Sequence, residues 1–101
     1  MAEQLTVEIT MTEVCHSVSV STETIIEIVE EGIVDPTGES PTEWLFDSKM
    51  VTTVRRACRL QRDLELNWAG VGMAMQLIDE LELLRVENKM LKQKLARFLE
   101  Q

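Results

Sequence analysis

Leu5, Val7 and Ile9 alternate with Thr6 and Glu8, the period of two that marks a short half-buried strand. At Thr10 the rhythm changes. "TMTE" (10–13) sets a hydroxyl N-cap three residues before Glu13, the layout of a capping box, and predicts a short helix through about His16. "SVSVS" reads as a turn, after which Ser21 caps a second helix. There Ile25, Ile26, Ile28 and Val29 share one broad arc at helical spacing, with Glu23, Glu27, Glu30 and Glu31 opposite. Gly32 stands where a C′ residue takes positive φ at little cost. Two short helices joined by a tight turn predict a helix-turn-helix.

In "GIVDPTGESPTEWLFD" (32–47), turn residues separate Ile33–Val34 from Trp44–Phe46. This predicts a hairpin with a polar loop, a wing in the winged-helix sense. Asp47 then caps a third helix from about Ser48 to Leu66. Its inner side carries Met50, Val51, Val54, Ala57, Cys58, Gln61 and Leu64; Arg55, Arg56, Arg59 and Arg62 lie on the other. Asp63, four residues after Arg59, is placed for an ion pair. Asn67 offers a further cap, and Trp68 an anchor for the corner.

The last helix spans about Ala69 to Leu99. Ala74, Leu77, Leu81, Leu84, Asn88, Leu91, Leu95 and Phe98 recur at alternating spacings of three and four, a heptad with a at 74, 81, 88 and 95 and d at 77, 84, 91 and 98. Asn88 is the polar seam residue, a device that selects register and oligomer number at some cost in stability. In a parallel pair Glu80 can meet Arg85 of the second copy, and Glu87 can meet Lys92. The seam residues Leu77, Leu81, Leu84, Asn88, Leu91, Leu95 and Phe98 therefore predict a homodimer. The competing reading is one amphipathic helix packed on its own domain. The expected architecture is mainly α with a small β wing: a winged helix-turn-helix over 1–66, followed by a dimerising helix over 67–101.

Composition agrees with a small helical protein. Of the 101 residues 45% are hydrophobic and only 4% aromatic, which suits an aliphatic core. A chain this short buries a modest core, so self-association or a partner is expected to complete it. No apolar run approaches the roughly 18 residues of a membrane span, and no basic-then-apolar leader opens the chain, which points to a soluble cytoplasmic protein. Cys15 and Cys58 form no CxxC pair and His16 is the only histidine, so no metal or redox site is expected. Phosphate-loop, nucleophile-elbow and zinc-protease motifs are missing too, and neither an enzyme nor a cofactor is predicted.

Charge changes the picture most. Residues 1–48 hold eleven acids and no Lys or Arg, whereas 49–101 hold all ten bases and seven acids, within a net charge of −8. Such asymmetry speaks to partners rather than to fold. The second helix is acidic against its own stability. Glu30 and Glu31 oppose the helix dipole at about 0.3–1 kcal/mol each, and the Glu23–Glu27 and Glu27–Glu31 pairs cost roughly 0.2–0.5 kcal/mol apiece. Solubility alone is the plainer explanation. The sharper one is a docking face for a basic partner. Phosphate is the wrong partner for that face, because it carries no cation to neutralise the backbone. The arginine side of the third helix is the one feature that favours DNA.

The order of these elements resembles a MerR-type DNA-binding domain. More closely, "TEVC" (12–15), "EIVEEGIVDP" (27–36), "TEWLFD" (42–47), the run from Val54 to Leu84 and "ENKMLKQKLARF" (87–98) resemble the CbpM family of bacterial chaperone modulators. Ala69 stands where that family often has proline, a departure that leaves the helix start intact. The resemblance implies a modulator that binds the J-domain of a DnaJ-like co-chaperone of the CbpA type. It implies inhibition of that co-chaperone's stimulation of DnaK, by covering the basic J-domain surface on which DnaK docks. Glu23, Glu27, Glu30 and Glu31 are the first candidate contact; Asp63, Glu65, Asp79 and Glu82, around the last corner, form a competing patch. A MerR-type transcription regulator is the alternative.

Overall fold

The computed structural model describes residues 7–100. In chain order it contains β1 (Ile9–Thr10), α1 (Met11–Val18), α2 (Thr22–Glu30), β2 (Leu45–Phe46), α3 (Ser48–Leu64) and α4 (Trp68–Leu99). Local chemistry explains most boundaries. Thr10 Oγ1 accepts from the Glu13 amide at 3.3 Å, and the Glu13 carboxylate accepts from the Thr10 amide at 3.1 Å, completing the capping box. Helix α1 runs two residues past His16 and closes on Ser19 in the left-handed region, φ 61°.

Ser21 Oγ accepts from the Thr24 amide at 3.2 Å and opens α2. Its far end is a Schellman turn. The Gly32 amide donates to the Val29 carbonyl at 2.9 Å, and the Ile33 amide to the Ile28 carbonyl at 3.2 Å, with Gly32 at φ +74°. At the start of α3, Asp47 Oδ1 accepts from the Met50 amide at 2.9 Å. At the start of α4, Asn67 Oδ1 accepts from the Gly70 amide at 2.7 Å.

The sheet departs from expectation in two places. The strand predicted from Leu5 onward is only Ile9–Thr10. Leu5 and Thr6 lie outside the described residues, while Val7 precedes the strand and is 71% exposed. The antiparallel register pairs Ile9 with Phe46 and Thr10 with Leu45. The next residue of β2's chain is Asp47, already committed to capping α3, so Val7 has no ladder to join. The wing also differs: Ile33 and Val34 form no arm of it. The Schellman turn sends Val34 into the core, and pairing resumes at Thr37, which exchanges two backbone hydrogen bonds with Leu45 at 2.9 and 3.2 Å. Leu45 thus bonds to Thr37 on one side and faces β1 on the other. Gly38 makes this turn possible. At φ +117° a Cβ there would stand 2.6 Å from the Glu43 carbonyl oxygen.

The core gathers Val14 from α1, Ile25 and Ile28 from α2, Val34, Phe46 and Val54, with Met11 at its edge. Phe46 is fully buried and meets Trp44 edge-to-face, ring centroids 6.4 Å apart. Truncating a buried phenylalanine to alanine costs about 3–5 kcal/mol, so this one side chain secures much of the body. A second cluster of Ala57, Val71 and Met75 fastens α4 to α3, and Trp68 and Ile33 pack against both clusters. Helix α3 ends two residues before Leu66, with Glu65 left-handed at φ 52°, and Leu64 is 55% exposed rather than buried. Leu64 lies on the solvent side of the last turn of α3, and Leu66 packs at the corner. Past Met75 every described residue of α4 is exposed, so more than half of its 32 residues project from the body. Among the described residues no helix is long and apolar enough to cross a membrane.

Candidate partner-docking surface

Helix α2 buries Ile25 and Ile28 against the core, and that fixes where its acids point. Glu23, Glu27, Glu30 and Glu31 are all exposed, and none belongs to an ion pair among the described residues. Three of the four cluster at the helix C-terminus, where the backbone dipole is itself negative and the last turn holds no base. The negative potentials of dipole and carboxylates add there.

Two adjoining grooves begin at this end of α2. The first, about 450 Å³, has Glu27, Glu30 and Glu31 on one wall, and Gln61, Leu66, Asn67, Trp68 and Ala69 on the other. The second, about 740 Å³, runs between Glu31–Ile33 and the faces of α3 and α4 carrying Thr53, Arg56, Met73, Gln76 and Asp79. Glu31 and Ala69 line both. Gly72 marks where the two walls come together. A Cβ there would make ordinary contacts, 3.5 Å from Ile33 Cγ1 and 3.9 Å from the Glu31 carbonyl oxygen, so the end of α2 and α4 are neighbours. Glu23 lies toward the other end of α2 and lines neither groove.

The competing patch is not assembled. Asp79 is held by Arg56, Nη1 to Oδ1 3.1 Å, and lines the second groove beside Glu31. Asp63 sits 3.7 Å from Arg62, Glu65 is the left-handed cap of α3, and Glu82 lies on the projecting part of α4; none of the three lines a groove described above. The Arg59–Asp63 pair expected at helical spacing is not formed, and Asp63 turns to its neighbour Arg62. A cation placed before an anion is the weaker of the two i, i+4 orders, which leaves that pairing easily displaced.

The arginines of α3 are divided among neighbours. Arg55 Nη2 donates to Ser17 Oγ of α1 at 2.9 Å, and Arg56 binds α4 through Asp79. Cys58 is half-buried at the inner side of α3, and burial raises its thiol pKa, against a smaller lowering by Arg62. Cys15 is likewise half-buried, with Sγ 3.9 Å from Thr22 Oγ1. Among the described residues no group of three His, Cys, Asp or Glu could hold a metal ion.

A separate surface runs along α4. Leu77, Leu81, Leu84, Leu91, Leu95 and Phe98 are exposed by 48% at Leu81 to 72% at Phe98, and Asn88 is exposed among them. Helix α4 is therefore not packed along this seam on its own domain.

Gln61, Leu66, Trp68, Ala69, Gly72 and Met73, which line the grooves opposite the acids, had not stood out as site residues. One signal was present: Ala69, Gly72, Met73 and Gln76 follow the i, i+3, i+4, i+7 spacing of a single helix face. The family model for MerR HTH family regulatory proteins matches residues 9–93. The chaperone modulatory protein CbpM of Pseudomonas entomophila is 47% identical over 98 residues, covering 97% of both chains. Those of Pseudomonas putida F1 and Escherichia coli O1:K1 are 45% and 40% identical, over 99% and 94% of both chains.

Proposed function

This chain belongs to the MerR helix-turn-helix family and to the CbpM chaperone modulatory proteins, and from that premise we propose that it binds the J-domain of a CbpA-type co-chaperone. Bound there, it inhibits the stimulation of DnaK by covering the basic surface DnaK uses. The observation that carries this reading is the end of α2, where Glu27, Glu30 and Glu31 meet a negative helix terminus with no base among them. A basic surface gains from that field, and the gain is greatest at low ionic strength.

The acting species is a homodimer joined along the α4 seam. Burying six large apolar side chains per copy offsets the cost of association, and in a parallel arrangement Glu80 can meet Arg85 and Glu87 can meet Lys92 of the second copy. The second reading, a DNA-binding regulator, draws on the MerR family match and the α3 arginines. Against it, two of those arginines are engaged by Ser17 and Asp79, and the helix that a helix-turn-helix presents to DNA carries four glutamates.

The test is calorimetric titration with a J-domain at rising salt, beside duplex DNA as competitor. J-domain binding that weakens steeply with salt, and weakens further in Glu27→Lys/Glu30→Lys, is the expected result. DNA retention with the J-domain ignored overturns the reading.

A further inference from the structure

The geometry points to a small-molecule site beside Trp68: the cavity between the α1–α2 turn and α3 takes an apolar molecule ending in one carboxylate. The cavity holds about 440 Å³, within the range of ligand pockets, about 300–1,000 Å³. All four helices reach it. Val18 and Val20 flank Ser19, the left-handed residue that closes α1, and Thr24 comes from α2. Cys58 and Arg62 stand one turn apart on α3, and Trp68, the first residue of α4, completes the lining.

Polarity selects the ligand. Glutamates line both grooves at the end of α2, yet no described residue lining this cavity is acidic, in a chain of net charge −8. Arg62 is its cation. It stands 3.7 Å from Asp63, too far for a hydrogen bond, and its side chain is 74% exposed. A ligand carboxylate can bring two acceptor oxygens to that fork and make the charge-assisted pair that Asp63 does not. Arg55 and Arg59 precede Arg62 on the same face of α3, and their exposed charges add to the local field. Burial raises the Cys58 thiol pKa, so at neutral pH the thiol presents no negative charge to the ligand. Val18, Val20 and the Trp68 ring offer apolar surface to the rest of the molecule. An uncharged occupant would leave Arg62 unused, and a bare inorganic anion would leave the valines and the indole uncovered.

Gln61 and Trp68 line this cavity and the first groove alike. An occupant packed on Trp68 therefore touches a wall of the proposed docking surface, and filling the cavity changes J-domain affinity. That link rests on the proposed function; the site does not.

The probe is 4-phenylbutyrate, with 4-phenylbutanol as its uncharged counterpart, titrated into the full chain and followed by amide and indole N–H shifts. The amides of Ser19, Val20, Thr24 and Cys58 and the Trp68 indole should move saturably, while the indole of Trp44, packed edge-to-face on Phe46, stays in place. The acid should bind at least about fivefold tighter than the alcohol, and Arg62→Gln should remove that preference. Arg62 is exposed, so the substitution spares the core. Arg59→Gln removes a cation that does not line the cavity and should change affinity by less than about twofold. Saturating probe should shift J-domain affinity by about fivefold or more.

Shifts confined to other amides, or no saturable shift, overturn the site. Equal binding of acid and alcohol by the parent chain overturns the carboxylate. Unchanged J-domain affinity overturns the link and leaves the proposed function intact. A J-domain ignored with and without the probe overturns the proposed function and the link with it, while the site stands or falls by its own shifts.

Discussion

Arg56 reaches from α3 to Asp79 on α4, Nη1 to Oδ1 3.1 Å, and both side chains line the second groove. The two side chains remain 40% and 66% exposed, so solvent screens the pair and its coupling is about 0.2–1 kcal/mol. A double-mutant cycle with Arg56→Ala and Asp79→Ala, read by urea unfolding, should return a value in that range. The pair also occupies the one carboxylate that α4 contributes to that groove. Asp79→Asn should accordingly weaken J-domain binding less than Glu31→Lys does, in a side-by-side titration.

The corner that positions Trp68 depends on Asn67, whose Oδ1 takes the Gly70 amide at 2.7 Å. Asn67→Ala removes an N-cap and should cost about 1 kcal/mol, with Asn67→Asp close to neutral. Thermal melts followed by circular dichroism at one fixed protein concentration would show it.

The exposed seam of α4 leads to a sharper contrast. Leu84→Asp/Leu91→Asp puts two charges into the proposed dimer seam and should yield monomer by sedimentation equilibrium, with the helix-turn-helix body still folded. Asn88→Leu should act in the opposite sense on stability and raise the melting midpoint. It should also loosen the choice of oligomer number, since the polar a position no longer excludes larger assemblies.

Cys58 sets a pH dependence. Burial raises its pKa in the folded chain above the ordinary thiol value of 9.0, so on raising pH the unfolded chain loses its proton first. The folded state then binds more protons, and stability falls as pH rises. The contribution is full below the ordinary thiol range and is lost as pH climbs through it toward the raised value. Urea midpoints from pH 7 to pH 10 should therefore decline more in the parent chain than in Cys58→Ala. Alkylation of Cys58 should also be slower than that of a free thiol until denaturant is added.

The resemblance between expectation and structure is uneven along the chain. Thr10, Ser21, Asp47 and Asn67 each cap the helix assigned to them, because a cap acts on amides two or three residues away. Gly32 stops α2 for an equally local reason. The wing was misplaced because a strand is defined by its partner. Whether Ile33–Val34 or Thr37 pairs with β2 depends on where the chain goes after the turn, and Val34 is worth more in the core than on a ladder. The arrangement of the two acidic patches was hidden from the sequence in a similar way. Glu31 and Asp79 are far apart in sequence yet share a groove, and Asp79 is neutralised by an arginine that helical spacing never brings to it.

The sequence by itself determined the helices and their caps, the acid-first, base-second division of charge and the heptad seam of α4. These rest on interactions spanning a few residues or on a repeating period, and they hold wherever the helices come to lie. Tertiary structure alone decided that Thr37 borders β2, that Arg55 and Arg56 fasten α3 to its neighbours and that Glu27, Glu30 and Glu31 face Trp68 and Ala69. Those pairings follow from how Phe46, Ile28, Val71 and Met75 pack, and close packing brings together surfaces that no local periodicity relates.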